Sequence, residues 1–438
     1  MVYFAGEIVN PTSSHVVLLK HDAVVDSAKL DEKNRFAFNL KDIKGGIYHF
    51  DHSPQYQYVY LEEGDSLLIR LNASPEYFDE SLVFSGTNGD INNFLIEMFL
   101  AFEDEESLIN SYYELNPKAF GDKMDSLRQM KLDVLNDLKT ESEFSQNAIA
   151  TAQAAIDYNT YLYKEIYPFH HKKKTGEEAF HHADTTFYDY RQKIDLNNHD
   201  LTFFKPYYNF MKNHFGNLSY MMCSKNCGFE YIKKNDHLHY YKHKLSLVDS
   251  LVQEEELRNV LFRNIAMDFL LKEHMANEDC DRFINRFAKL SNNEKHKHEI
   301  NNLYNGIQRL QPNSNLPTLD FVNTNGKTIP IKDIVANKET VFYFWSGGQK
   351  GHFKNTYKHI EKLKQRHPNK KFIGINLQTP HAKWVQLVKE NNLDTLTQFR
   401  GGDFDKVQSS FIISNLNKCV IAKDTVIVDA FANLYASF

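Results

Sequence analysis

Cysteine is scarce in this chain, which has only four in 438 residues, at positions 223, 227, 280 and 419. Small secreted proteins that cannot build a large core depend on dense disulfides, and four cysteines in so long a chain exclude that class. Proline and glycine are also few, at 11 and 18 residues, which excludes a long disordered or low-complexity region. We therefore expect the chain to be folded throughout.

Long apolar runs are missing as well. No stretch approaches the roughly 20 consecutive apolar residues of a membrane-spanning helix, so we predict no transmembrane segment. The formal net charge is −6, and the lysines do not form a basic face that would bind phosphates, so nucleic acid is excluded as a partner. No signal peptide is visible, and a predicted strand follows Met1 directly. Such a start fits a cytosolic protein or an exported one whose leader has been replaced.

Apolar and aromatic residues are plentiful, at 42% and 13%, and their spacing divides the chain into three regions. Residues 1–87 hold short runs of β-forming residues between turn signals, which predicts an antiparallel, sandwich-like module. In residues 88–311 apolar residues recur with helical spacing, which predicts a helical domain of about eight helices. The proline-containing segment 311–317 leads into a third domain, 312–438. The predicted fold class is multidomain α+β.

The third region alternates strands and helices. A hairpin formed by 319–322 and 328–331 precedes the continuous β-run Thr340–Trp345, which is typical of a strand buried on both faces. A helix, a second buried strand at 372–377, another helix and two closing strands follow. The order βαβ, α, ββ is that of a thioredoxin fold.

Particular residues in this region suggest a family. Phe344-Trp345 at a strand end, the strand Phe372-Ile373-Gly374-Ile375-Asn376-Leu377 and a Trp-bearing helix together resemble the C-terminal domain of the TlpA-like envelope thiol-disulfide reductases of Bacteroidetes. The similarity in sequence runs from about Leu316 onward, and the layout of β module, helical insert and thioredoxin-like domain is similar over the whole chain. The resemblance implies a location in the periplasm or cell envelope and another envelope protein as partner.

The resemblance also implies where an active site belongs. In that family a Cys-x-x-Cys pair follows the Phe-Trp strand at a helix N-terminus, where the helix dipole stabilises the thiolate. Here the two positions fall on Gln349 and His352, and the facing cis-proline falls near Leu416. Without sulfur no thiol-disulfide exchange runs at this site. We predict a degenerate thioredoxin site of Trp345, Gln349, His352 and Leu416 with no catalytic residue.

The same helix N-terminus has a second interpretation. Gly347-Gly348 followed by Gln349, Lys350 and His352 is a flexible approach to free backbone amides, and such an end is able to hold an anion. The spacing of a Walker loop is missing, so we favour a solvated, degenerate loop.

The remaining cysteines also allow two readings. Cys223 and Cys227 lie four residues apart at the end of a predicted helix, with Cys280 on a neighbouring one. They form a disulfide in an oxidising compartment, or they serve as small apolar core groups, which is the interpretation we favour.

Histidine is frequent, with 20 residues, and invites a metal hypothesis. His239 and His243 are four residues apart with His237 close by, and the pairs 170–171 and 181–182 flank a polar segment. No His-Glu-x-x-His motif or carboxylate triad accompanies them. We predict no metal and no cofactor.

Tyr56, Tyr58 and Tyr60 alternate along a predicted strand, which puts them on one sheet face. Such a face binds a glycan or a peptide, and cross-strand aromatic packing explains it equally well.

Two functional hypotheses follow. In the first, the chain is a redox-inactive thioredoxin-like protein of the cell envelope that acts as a binding or scaffolding component, and we favour it. In the second it is an enzyme, either a thiol-disulfide oxidoreductase that uses Cys223 and Cys227 or an activity without a recognisable motif. A glycan- or peptide-binding module is a further alternative.

Overall fold

The computed structural model describes residues 1–74, 77–177, 185–228, 236–335 and 339–438, apart from the side chain of Lys350. Contacts divide the chain into two compact units, Met1–Phe262 and Arg263–Phe438. Each unit contains both strands and helices, which confirms a mixed α/β protein. The three domain bounds drawn from the sequence stay a prediction.

The described part of the first unit opens with eight strands: β1 (Val2–Val9), β2 (His15–Lys20), β3 (Ala23–Lys29), β4 (Arg35–Leu40), β5 (Gly46–His52), β6 (Gln55–Leu61), β7 (Ser66–Asn72) and β8 (Val83–Gly86). They form two four-stranded sheets, ordered β4-β1-β7-β8 and β3-β2-β5-β6. Phe4 of β1 contacts Phe50 of β5 with ring centroids 6.1 Å apart, so the two sheets pack against each other as a sandwich.

One strand pair differs from the predicted antiparallel module. β1 pairs with β4 antiparallel but with β7 parallel, so this sheet is mixed. Parallel neighbours need a crossover connection, and the chain between β1 and β7 supplies it by forming the second sheet. Local residue patterns do not predict the pairing of β1 with β7, because the two strands are far apart in the sequence.

Within the described part of the chain, eight α-helices and one 3-10 segment follow: α1 (Gly89–Tyr112), α2 (Pro117–Glu141), α3 (Gln146–Thr175), the 3-10 segment (Thr185–Lys193), α4 (Lys205–Asn226), α5 (His237–Leu251), α6 (Glu255–Glu273), α7 (Glu278–Leu290) and α8 (Glu294–Arg309). Several of these helices begin at a side chain that caps a free backbone amide. Asn116 accepts from the Ala119 amide at α2, and Ser145 accepts from the Ala148 amide at α3. None of the described helices has the length and apolar character that crossing a bilayer requires.

Two of the three alternating tyrosines of β6 belong to the core. Tyr58 and Tyr60 are 4% and 0% exposed, while Tyr56 is 62% exposed. The Tyr58 hydroxyl donates to the Leu95 carbonyl at 3.1 Å, and the Asn92 side chain bonds both the amide and the carbonyl of Tyr60. These contacts hold α1 on the sheet. Packing accounts for Tyr58 and Tyr60, and the glycan- or peptide-binding alternative stays a prediction.

In its described residues the second unit continues from α7 and α8 with seven strands and four helices: β9 (Asp320–Val322), β10 (Thr328–Pro330), α9 (Ile331–Ile334), β11 (Glu339–Trp345), α10 (Lys350–Arg366), β12 (Lys370–Asn376), α11 (His381–Glu390), β13 (Gln398–Gly401), α12 (Phe404–Phe411), β14 (Lys418–Lys423) and β15 (Val426–Asn433). The strands form one sheet in the order β10-β9-β13-β12-β11-β14-β15. β11 is parallel to β12 and antiparallel to β14, which is antiparallel to β15. This is the predicted thioredoxin arrangement.

β11 is the centre of the second unit. Phe342 and Phe344 lie in the core on one sheet face, and Val341, Tyr343 and Trp345 lie in the core on the other. A strand covered on both faces needs apolar residues at every position, which is why β11 reads as a continuous hydrophobic run.

Two elements of this sheet region were missed from the sequence. β13 is only four residues long, and α12 spans eight. A signal for α12 exists, because the Asp403 side chain accepts from the Lys406 amide and Val407 and Phe411 are buried one turn apart.

A glycine in β12 gives a first testable prediction. A Cβ added at Gly374 would lie 2.4 Å from Gln398 Oε1 and 2.7 Å from the Tyr343 hydroxyl. Gly374→Ala should therefore lower the free energy of unfolding by about 1–3 kcal/mol, as overpacking does. Gly351→Ala is the control, because no atom lies within 4 Å of its added Cβ. Urea unfolding of both variants checks this, and equal losses would contradict it.

Candidate functional site

The site predicted to be degenerate lies where β11 ends and α10 begins. Gln349 is the residue before the first helical turn, is exposed, and makes no side-chain capping bond. The first family cysteine would occupy this place. The Lys350 side chain lies outside the described part of the chain, so the anion interpretation stays a prediction.

Trp345 anchors the approach to this helix end. Its side chain is 0% exposed, its ring centroid is 4.5 Å from that of Phe353, and its Nε1 donates to Gln398 Oε1 at 3.1 Å. Two residues later the Gly347 amide donates to Thr379 Oγ1 at 2.9 Å. The loop is therefore held by packing and by buried hydrogen bonds.

His352 connects the helix to the segment opposite. Its Nε2 lies 3.2 Å from Asn417 Oδ1 and 3.2 Å from Thr356 Oγ1. Thr356 Oγ1 in turn lies 3.2 Å from the Tyr435 hydroxyl. Polar side chains from α10, from the loop before β14 and from the segment after β15 thus meet around His352.

Leu416 immediately precedes Asn417 and is half-buried against the apolar core on the far side of the sheet. Among the described peptide bonds only the one before Pro54 is cis, so the bond before Leu416 is trans. The structure therefore brings the Leu416 loop close to His352, while Gln349 takes part in none of these contacts.

The two thiols of the second unit are shielded from solvent. Cys419 is 0% exposed and Cys280 is 1% exposed. Burial, with Asp429 adding to it, raises the pKa of Cys419 to about 12, and burial raises the pKa of Cys280 to about 11. Thiol-disulfide exchange requires an accessible thiolate, which neither residue provides near neutral pH.

Cys223 and Cys227 are free thiols at the end of α4, with Cys223 buried and Cys227 exposed. Cys223 Sγ lies 2.9 Å from Nδ1 of His243 on α5. The ligand atoms of these three residues and of His239 all lie within 4.8 Å of one another. In the sequence the cysteine pair and the histidine pair are separate, and neither is a complete ligand set for a metal, whereas the structure brings the two pairs together.

Other histidines from the sequence analysis are structural. The His170 ring stacks on Tyr113 with centroids 4.6 Å apart, and His171 Nδ1 lies 2.7 Å from the Tyr113 carbonyl oxygen. The pair His181-His182 lies outside the described residues.

Comparison with known proteins finds no matching family model and no matching curated protein. Solved structures match part of the chain. The thioredoxin domain of a Bacteroides vulgatus thiol-disulfide oxidoreductase is 16% identical, with 28% of this chain and 88% of that one covered and a TM-score of 0.25. A thiol:disulfide interchange protein from Bacteroides sp. is 17% identical, with 28% and 81% covered and a TM-score of 0.24. An exposed lipoprotein thioredoxin of Streptococcus pneumoniae is 12% identical, with 27% and 94% covered and a TM-score of 0.22.

Identities and TM-scores this low transfer no function to the chain.

Proposed function

We propose that this chain is a redox-inactive thioredoxin-like protein of the bacterial cell envelope that acts as a binding or scaffolding component. The observation that supports the proposal lies at the start of α10, where strand, loop and helix follow the thioredoxin order and where the family resemblance puts the two cysteine positions on Gln349 and His352. The envelope location rests on the family resemblance.

The contacts around His352 support a surface kept for its shape. A degenerate site with no remaining role has no need for ordered polar contacts, yet His352, Asn417, Thr356 and Tyr435 form a continuous set. Asn417 is exposed, and Tyr435 is 43% exposed. Exposed polar and aromatic groups held in fixed positions by their neighbours suit recognition of a protein partner.

Restoring the cysteines tests the redox part of the proposal. We expect the wild-type protein to show no insulin-disulfide reduction above background. The double variant Gln349→Cys/His352→Cys should form a disulfide and reduce insulin at least about tenfold faster than wild type, because the first new thiol would lie at a helix N-terminus. An insulin turbidity assay with dithiothreitol as electron donor measures this.

The single variants Gln349→Cys and His352→Cys are controls, since neither has a resolving partner. The proposal would be contradicted if the wild type reduced insulin and if Cys223→Ser abolished this activity while Cys280→Ser retained it. That result would support a reductase that uses Cys223 and Cys227.

The binding role needs a separate test. A photo-crosslinking amino acid placed at Gln349 should capture one reproducible protein in the native cell, whereas the same group at Asp424 should not. Asp424 is exposed and lies at the opposite end of β14 from Leu416. Equal capture at both positions, or none at Gln349, would contradict a binding surface at this site.

A further inference from the structure

Two groups of ligand-type side chains occur among the described residues. One contains His21, His199 and Glu256, and the other contains Cys223, Cys227, His239 and His243. In the first group His21 Nδ1 already lies 2.7 Å from Glu256 Oε2, so an ion pair explains it. The second group offers four ligand atoms, two thiol sulfurs and two imidazole nitrogens, which are donor types that zinc takes.

We propose that Cys223, Cys227, His239 and His243 form a Cys2His2 zinc site that ties α4 to α5. Four ligands are the complete set of a structural tetrahedral Zn²⁺ site, and thiolate and imidazole are its usual donors. Two thiolates also neutralise the dication. This site lies in the first unit and is independent of the function proposed for the second.

The spacing in the sequence fits this coordination. Cys-x3-Cys is followed, after the eleven residues 228–238, by His-x3-His. Both pairs fall within the ranges found in zinc sites. Residues four apart on a helix lie on the same face, and both pairs are at helix ends, Cys223/Cys227 at the end of α4 and His239/His243 near the start of α5.

The geometry in space also fits. Zn–S bonds of about 2.3 Å and Zn–N bonds of about 2.0–2.1 Å in a tetrahedron place ligand atoms roughly 3.3–3.8 Å apart. All four atoms already lie within 4.8 Å of one another, and Cys223 Sγ is 2.9 Å from His243 Nδ1. Side-chain movements of about 1 Å therefore complete the site without moving the helices.

The backbone holding these ligands is fixed independently of a metal. Ser219 Oγ of α4 donates to the Tyr240 carbonyl at 3.2 Å, and the Tyr240 hydroxyl donates back to the Gly216 carbonyl at 3.1 Å. Cys223 is buried and His243 half-buried, while Cys227 and His239 are exposed. The exposed pair leaves an entry path for the ion, and the buried pair gives it a protected inner side.

A closed set of four protein ligands has consequences for function. Structural zinc sites leave no coordination position for water or substrate. Thiolates bound to zinc are also unable to act as a resolving pair, so the site accounts for Cys223 and Cys227 without the reductase alternative.

Metal titration of the full-length protein tests the proposal. The protein is reduced, stripped of metal with a chelator and titrated with Zn²⁺ and, separately, with Co²⁺. We expect one ion per chain, the visible bands of tetrahedral cobalt, a thiolate-to-cobalt charge-transfer band, and a higher Tm with Zn²⁺.

The test variants are Cys227→Ser and His239→Asn, whose side chains are exposed, so the fold is not at risk. Each should weaken zinc binding by more than the roughly 10- to 100-fold that loss of an outer-shell partner costs, and should abolish the Tm increase. Cys280→Ser and His298→Asn are controls outside the cluster and should bind Zn²⁺ with the affinity of the wild type.

Three results would overturn the site. The first is that the reduced wild type binds no stoichiometric Zn²⁺ and gives no tetrahedral Co²⁺ spectrum, and the second is that both ligand variants bind Zn²⁺ as tightly as the wild type. The third is that the isolated protein contains a Cys223–Cys227 disulfide and still binds no metal after that disulfide is reduced.

Discussion

Glu165→Ala is expected to lower the free energy of unfolding by about 3–5 kcal/mol, the cost of breaking a buried ion pair by removing one partner. Glu165 lies on α3 and is 0% exposed. Arg191 Nε donates to Glu165 Oε1 at 2.9 Å, and Arg191 Nη2 donates to Glu165 Oε2 at 2.5 Å. His214 Nδ1 lies 2.8 Å from Glu165 Oε1. In the alanine variant the largely buried Arg191 guanidinium would lack its carboxylate partner.

Two further bonds complete this network. The Tyr190 hydroxyl donates to Oε1 at 2.8 Å, and Asn217 Nδ2 donates to Oε2 at 2.7 Å. Glu165→Gln keeps the shape but loses the charge, so its cost should fall between those of alanine and wild type. Glu141→Ala, at an exposed position near the end of α2, should change stability by less than about 0.5 kcal/mol. Urea unfolding followed by circular dichroism compares the three variants.

The network also predicts a pH dependence. Burial alone would raise the pKa of Glu165, but the contacts with His214 and Arg191 outweigh burial and lower that pKa from 4.5 to about 2. Between these values the unfolded state binds a proton that the folded state does not, so stability falls as the pH drops from 4.5 towards 2. Glu165→Gln should flatten this part of the profile. An unchanged slope, or an alanine variant as stable as wild type, would contradict the role given to Glu165.

Trp345→Ala is the second change with a large expected effect, again about 3–5 kcal/mol, because it opens a cavity in a close-packed core. Trp345 is 0% exposed and packs with Phe353 of α10. The substitution also removes the N–H donor to Gln398 Oε1. The same Gln398 side chain donates from Nε2 to the Tyr343 hydroxyl, and this hydrogen bond is buried. Trp345→Phe retains much of the volume and should cost less.

Leu396→Ala is the control, since Leu396 is 80% exposed and should change stability by less than about 0.5 kcal/mol. Unfolding should be followed by circular dichroism rather than fluorescence, because the chain has only two tryptophans and the substitution removes one. If Trp345→Ala lowers the free energy of unfolding no more than Leu396→Ala does, Trp345 does not stabilise the second unit.

Local patterns in the sequence determined the elements of this protein. The run Thr340–Trp345 identified a strand buried on both faces, because such a strand has no polar side. No Cys-x-x-Cys pair occurs in the sequence, and the family resemblance puts those two positions on Gln349 and His352. β3 shows no such pattern, because it lies at the edge of its sheet beside β2 and its residues are exposed or half-buried, which leaves no apolar periodicity.

Only the tertiary structure decided which distant residues meet. Asn417 and Tyr435 were not identified as neighbours of His352, because no local pattern joins residues so far apart in the chain. The same holds for the two halves of the Cys2His2 cluster. Each half has helical spacing that the sequence shows, but whether Cys223 and His243 share one centre depends on how α4 packs on α5, and long-range packing sets that geometry.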